Sequence, residues 1–97
     1  MSMTIQDIQQ KTTPIFAEYG ISYAALFGSF AQGTANNNSD VDVLVRLGKP
    51  MGMFTYMKFI NGLEHSLGKK VDVVTENSIN KFIKPYIMSD LKPLYEK

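Results

Sequence analysis

Residues 41–45 read Val-Asp-Val-Leu-Val, a short apolar run broken by one acid and bounded by polar stretches on both sides. Side chains of a strand alternate between its two sides, so a run that is apolar on both needs cover on both faces of its sheet. It predicts a central strand. Asp40 and Asp42 stand two positions apart here, and alternate positions share a side. Two carboxylates therefore project together from the start of an apolar ribbon.

The flanking sequence supplies elements to cover that strand. Thr4 is a plausible helix N-cap with Asp7 three residues on, and Ile5, Ile8, Ile15, Phe16 and Tyr19 fall on one helical face, ending at Gly20. Pro14 inside this stretch predicts a kink, or else a helix that begins near Thr13. Residues 21–27, Ile-Ser-Tyr-Ala-Ala-Leu-Phe, predict a strand closed by a sharp turn at Gly28 and Ser29. Residues 30–39 are polar and hold Gly33 and three asparagines, leaving room for one helical turn and a loop. Met53, Phe54, Met57, Ile60, Leu63 and Leu67 return at spacings of three and four, an amphipathic helix ending at Gly68. Residues 70–75 predict a third strand, and residues 79–88 a last helix interrupted by Pro85. Residues 91–95 predict an extended tail or short edge strand. The expected fold is α+β in two layers, a small mixed sheet with helices on one face. At 97 residues one domain, 1–97, is expected.

Composition narrows the chemistry. The chain has no cysteine and one histidine, so thiolate sites and His-rich zinc sites lack material, and any metal must be held by oxygen. No apolar run approaches the roughly 18 residues of a membrane span, and the N-terminus lacks a basic segment followed by an apolar one. No membrane association and a cytoplasmic location are expected. The net charge of +1 exerts no general pull on nucleic acid. Residues 1–45 carry one Lys against four acids, net −3, and residues 46–97 carry nine Lys or Arg against five acids, net +4. A basic second half could help attract phosphates, although scattered lysines also make an ordinary solvated surface.

Two ionised carboxylates held side by side repel, and without a counter-charge one tends to keep its proton. A hard divalent cation resolves the conflict, and magnesium suits a site built from oxygen. The competing reading is a strand entry whose first Asp caps a turn. Asp72 shifts the balance, because it interrupts the apolar run Val71-Asp72-Val73-Val74, where a buried charge needs compensation. If that strand lies beside residues 41–45, Asp72 joins Asp40 and Asp42. If it is an edge strand, Asp72 faces solvent or pairs with Lys69 or Lys70.

The run Leu26-Phe27-Gly28-Ser29-Phe30-Ala31-Gln32-Gly33, then ten residues between Ser29 and Asp40, then Asp40-Val41-Asp42, resembles the signature of the DNA polymerase β nucleotidyltransferase superfamily. Gly68-Lys69-Lys70-Val71-Asp72-Val73-Val74 resembles the strand carrying the third acid in its small stand-alone members, the minimal nucleotidyltransferases. The resemblance implies a polymerase β palm-like fold, nucleotide binding by Gly28 and Ser29, and two magnesium ions on Asp40, Asp42 and Asp72, with Asp72 on only one of them. It implies transfer of AMP from ATP to a hydroxyl. In this family the acceptor is a tyrosine of a HEPN-domain ribonuclease toxin, and the minimal enzyme is its antitoxin. Gln32 departs from the pattern, in which Arg is common. Arg46, Lys69 and Lys70 are the candidates to replace that cation.

The other reading is a binding module that neutralises its partner by contact alone. Met51, Met53, Phe54 and Met57 could form the necessary apolar patch, but at helical spacing they read as core. No template-binding or drug-holding domain is expected. His65 reads as a surface residue, and the tyrosines as packing or partner-facing residues.

Overall fold

Thr4 caps the first helix by accepting from the Asp7 amide at 3.1 Å, while Asp7 Oδ2 accepts from the Thr4 amide at 3.0 Å. Two of the amides that a helix start leaves unpaired are thereby satisfied. This helix, α1, spans Ile5–Glu18 and runs through Pro14. The hydroxyls of Thr12 and Thr13, just before the proline, donate to the carbonyls of Ile8 and Gln9, each at 2.7 Å. In this computed structural model residues 3–36, 38–79, 84–89 and 91–97 are described.

Strand β1 (Ile21–Phe27) passes straight into a one-turn helix, α2 (Gly28–Gln32), and then through a loop to β2 (Val41–Leu47). Helix α3 (Met53–Leu67) ends on Gly68 in the left-handed conformation, and β3 (Val71–Thr75) follows. A 3-10 turn over Glu76–Ser78, helix α4 (Lys84–Ser89) and β4 (Lys92–Glu96) complete the described chain. The expected helix over 79–88 is shorter where it is described, and residues 80–83 of it lie outside the described residues. Ile79 is extended, and Pro85 sits in the first turn of α4, where its missing N–H is not needed.

The sheet order is β3-β2-β1-β4. β1 pairs antiparallel with both β2 and β4, whereas β2 and β3 are parallel, so the sheet is mixed as expected. The residues 91–95 expected as a tail or edge strand contribute β4, and Pro93 is tolerated because β4 pairs with β1 on the edge of the sheet. One side of β2, Val41, Val43 and Val45, joins Ala24 and Leu26 of β1 and Leu94 of β4 against Ile8 and Phe16 of α1 and Phe59, Leu63 and Leu67 of α3. Ring contacts tie the layers together: Phe16 lies 6.0 Å from Phe59 and 5.8 Å from Tyr95 between centroids. The alternate residues of β2, Asp42, Leu44 and Arg46, point to the other side of the sheet.

The buried line of α3 differs from the expected one. Phe59, Leu63 and Leu67 face the core, while Met53, Phe54 and Met57 are 72%, 84% and 54% exposed. At about 100° per residue these three positions lie more than about 100° around the helix from Phe59. Phe59, absent from the expected stripe, is fully buried. Met51, just before the helix, packs partly against the core.

Candidate active site

The parallel register of β2 and β3 sets Asp42 directly beside Asp72, with Val41 beside Val71 and Val43 beside Val73. Two observations anchor this end of the sheet. The Val41 amide donates to the Lys70 carbonyl at 3.0 Å, and the Val71 amide donates to Glu64 Oε2 at 3.0 Å. Glu64 is a positioning residue missed by the sequence reading. Its signal was an acid close to a helix C-terminus, where the helix dipole disfavours negative charge.

Burial pushes the Asp42 carboxyl above its ordinary value, and the neighbouring charges of Asp72 and Asp40 and a hydrogen bond with Asp72 push the same way. The three acids are thus within electrostatic reach of one another. Asp42 is half-buried, as is Asp40 at the entry to β2, and Asp72 is exposed. The last finding corrects an expectation: β3 is an edge strand, so Asp72 is not a charge stranded in the interior. What brings it to Asp42 is the register. Among the described residues no three His, Cys, Asp or Glu side chains are already drawn together as a metal-holding group.

Gly28 closes the site from the β1 side. Its φ is +74°, in the region that favours glycine, and a side chain there would collide with the Asp42 carboxylate. The turn into α2 therefore sits against the acid, and Ser29 follows it. Gly33, at φ +78°, ends α2 in the left-handed conformation, and the Thr34 amide donates to the Ser29 carbonyl at 3.0 Å.

Of the cations considered as replacements for an arginine at position 32, Arg46 is at the wrong end. It lies near the C-terminal end of β2 and pairs with Glu76 at 2.7 Å. Lys69 reaches to 5.7 Å above the ring of Phe30 in α2. Gln32 is exposed. His65 is also exposed, in the last turn of α3, in keeping with its reading as a surface residue.

Comparison with known proteins decides the family: the polymerase β nucleotidyltransferase domain matches residues 10–97. The chain belongs to this nucleotidyltransferase family. It is 36% identical over 88 residues to a Methanocaldococcus jannaschii protein named "Putative protein adenylyltransferase MJ0435", covering 91% of this chain and 95% of the relative. Among solved structures it is similar to one described as a putative minimal nucleotidyltransferase, with a TM-score of 0.81, 25% identity, and 95% and 97% of the two chains covered. A chain from the complex of a tri-AMPylated Shewanella oneidensis HEPN toxin with its MNT antitoxin shares the fold, with a TM-score of 0.73 at 18% identity over 97% of this chain and 74% of that one. The α+β fold expected from the sequence is that of the family.

Proposed function

We propose that this chain is a protein adenylyltransferase of the antitoxin type, which moves AMP from ATP to a tyrosine hydroxyl of a HEPN-domain toxin. The observation that carries this reading is the in-register pair Asp42 and Asp72 with Gly28 pressed against the first of them. The names of the relative and of the toxin complex reported above support AMP transfer and a HEPN-domain toxin as the protein that receives it.

The donors fit magnesium: they are oxygen only, and Asp42 sits where burial and two like charges leave a deficit of positive charge. Asp40 and Asp42 would hold two ions and Asp72 one of them. When bound, the ions supply charge neutralisation for the triphosphate and for the acceptor oxygen. The backbone amides at Gly28 and Ser29 would receive the β- and γ-phosphates, and the absent side chain at Gly28 allows that approach. The acceptor oxygen bonds to the α-phosphorus, the bond from that phosphorus to the bridging oxygen breaks, and pyrophosphate leaves. Asp72, exposed on its edge strand, would take the proton of the incoming hydroxyl. A tyrosine hydroxyl has an ordinary pKa near 10, so this assistance matters.

With α-labelled ATP, magnesium and the HEPN-domain partner, label is expected on the partner, and Asp40→Ala or Asp42→Ala removes it without removing binding. No transfer by the unaltered chain sinks the reading. The exposure of Met53, Phe54 and Met57 favours a second reading, neutralisation by contact alone. These residues lie at the start of α3, whose roughly 20 Å length separates them from the acid end of the sheet. If both alanine variants neutralise the partner fully while Phe54→Ser does not, contact is the mechanism. Among the described residues no helix is long and apolar enough to cross a membrane. A cytoplasmic setting belongs to the same proposal, since the toxin and ATP would both be met there.

A further inference from the structure

We infer that the loop between α3 and β3 is the polyphosphate-recognising wall of this site, with Lys69 and Lys70 meeting the charge of the triphosphate. The inference rests on the transfer reaction proposed above and adds residues that decide which nucleotides bind. The loop is held at the acid end at two points: the Lys70 carbonyl accepts from Val41, the residue between Asp40 and Asp42, and Val71 is tied to Glu64. Lys70 is alternate to Asp72 and so falls on the same side of the extended chain. Lys69 is half-buried and folds back so that its ammonium covers the ring of Phe30, the residue after Ser29. The open surface beside this loop is lined by Glu64, Gly68, Lys69 and Lys70.

Charge gives this placement its purpose. Two divalent ions on Asp40, Asp42 and Asp72 would more than offset the three carboxylates, but they would leave most of the roughly fourfold negative charge of a triphosphate to be met by other cations. A lysine left in bulk solvent contributes little, because it must give up side-chain freedom on binding. Lys69 has already given up part of it through the aromatic contact. Phe30 is a positioning residue for Lys69: it is 7% exposed and belongs to the core, so the ammonium rests on a fixed surface. A nucleoside monophosphate, lacking the β- and γ-phosphates, has little to offer these lysines. The loop should therefore discriminate by phosphate count.

The test is calorimetric titration of the full chain in magnesium with AMP-PNP and, separately, with AMP. The unaltered chain is expected to prefer AMP-PNP. Joint replacement Lys69→Met and Lys70→Met should weaken AMP-PNP binding by about tenfold or more and leave AMP within about threefold, while joint replacement by Arg retains the preference. Phe30→Leu keeps the core apolar but removes the π face, and should weaken AMP-PNP binding by about threefold. Lys58→Met, at an exposed position of α3, is the control expected to change nothing. AMP-PNP binding by the double Met variant within threefold of the unaltered chain overturns this inference alone. Failure of the unaltered chain to bind AMP-PNP overturns the transfer reaction as well. Both lysines are loop residues, and a circular dichroism melt shows directly whether each variant is folded.

Discussion

The two ends of the β1–β2 pair are built on opposite electrostatic terms. At one end Asp42 meets Asp72 across the β2–β3 ladder, with Asp40 close by, and the carboxyl of Asp42 is displaced upward by burial and by its neighbours. At the other end charges are matched: Arg46 pairs with Glu76, its guanidinium lies 5.4 Å from the Tyr23 ring centroid, and the Gly48 amide donates to the Gly20 carbonyl at 3.0 Å. The same two strands thus carry an end where opposite charges pair and an end where acids face one another. Unrelieved repulsion in a folded protein is a cost, and it is tolerated where a ligand supplies what is missing.

The strongest way to break this contrast is to neutralise the acidic end. Asp42→Asn is expected to lower nucleotidyl transfer by at least about a thousandfold, measured with labelled ATP, since charge stabilisation of this kind is worth several kcal/mol. The same change should raise the melting temperature in EDTA by about 2–4 °C. That corresponds to roughly 0.5 kcal/mol of burial cost and repulsion together, discounted because water reaches the site. A melting temperature in EDTA that falls instead would show that the acids are not in conflict.

Glycines test the two ends sterically. Gly28→Ala places a side chain against the Asp42 carboxylate at positive φ, and should cost about 2–3 kcal/mol in chemical denaturation together with nucleotide affinity. At the matched end Gly48→Ala would bring a Cβ to 2.6 Å from the Gly20 carbonyl oxygen, and should cost about 1–3 kcal/mol with nucleotide affinity unchanged. Gly33→Ala meets nothing within 4 Å, so only its positive φ counts, about 1 kcal/mol.

Acid and base should move the two ends in opposite directions. Asp42 is raised in the folded state, so its ionisation penalises folding. Stability from this group is greatest below the unfolded carboxyl value near 3.9 and declines as pH rises through the higher folded value. Glu76 is lowered, first by its hydrogen bond to Arg46. Its contribution is present above the unfolded value and is lost as pH falls through the folded one. Melting curves from pH 3 to 7 of Asp42→Asn and Glu76→Gln should therefore deviate from the unaltered chain with opposite slopes. The smallest effect is expected from Arg46→Ala, a shift below about 2 °C with transfer unchanged, because the pair is solvated. A large loss of transfer in that variant would erase the distinction between the ends.

Much of this was readable from local pattern. The capping box at Thr4, the strand ending at Gly28, the apolar ribbon of β2 and the αL cap at Gly68 each depend on residues close in sequence. Long-range facts were less accessible. That residues 92–96 lie along β1 depends on register with residues far away in the sequence, such as Tyr23 with Glu96, and nothing local separates a tail from an edge strand. The exposure of Asp72 follows from β3 being outermost, which its apolar composition did not reveal. In α3 two interleaved lines of apolar residues compete, and only docking on Phe16 and Tyr19 selects Phe59 over Phe54 and Met57 as the inward residue. Register, and not burial, is what sets Asp72 beside Asp42.

The outermost place of β3 has one more effect. Among the described residues no strand flanks it on its far side, so the carboxylate of Asp72 can be reached across the rim of the sheet as well as from above it. A folded macromolecule could bring a side chain to that rim without either molecule opening, and its own surface would then complete the enclosure.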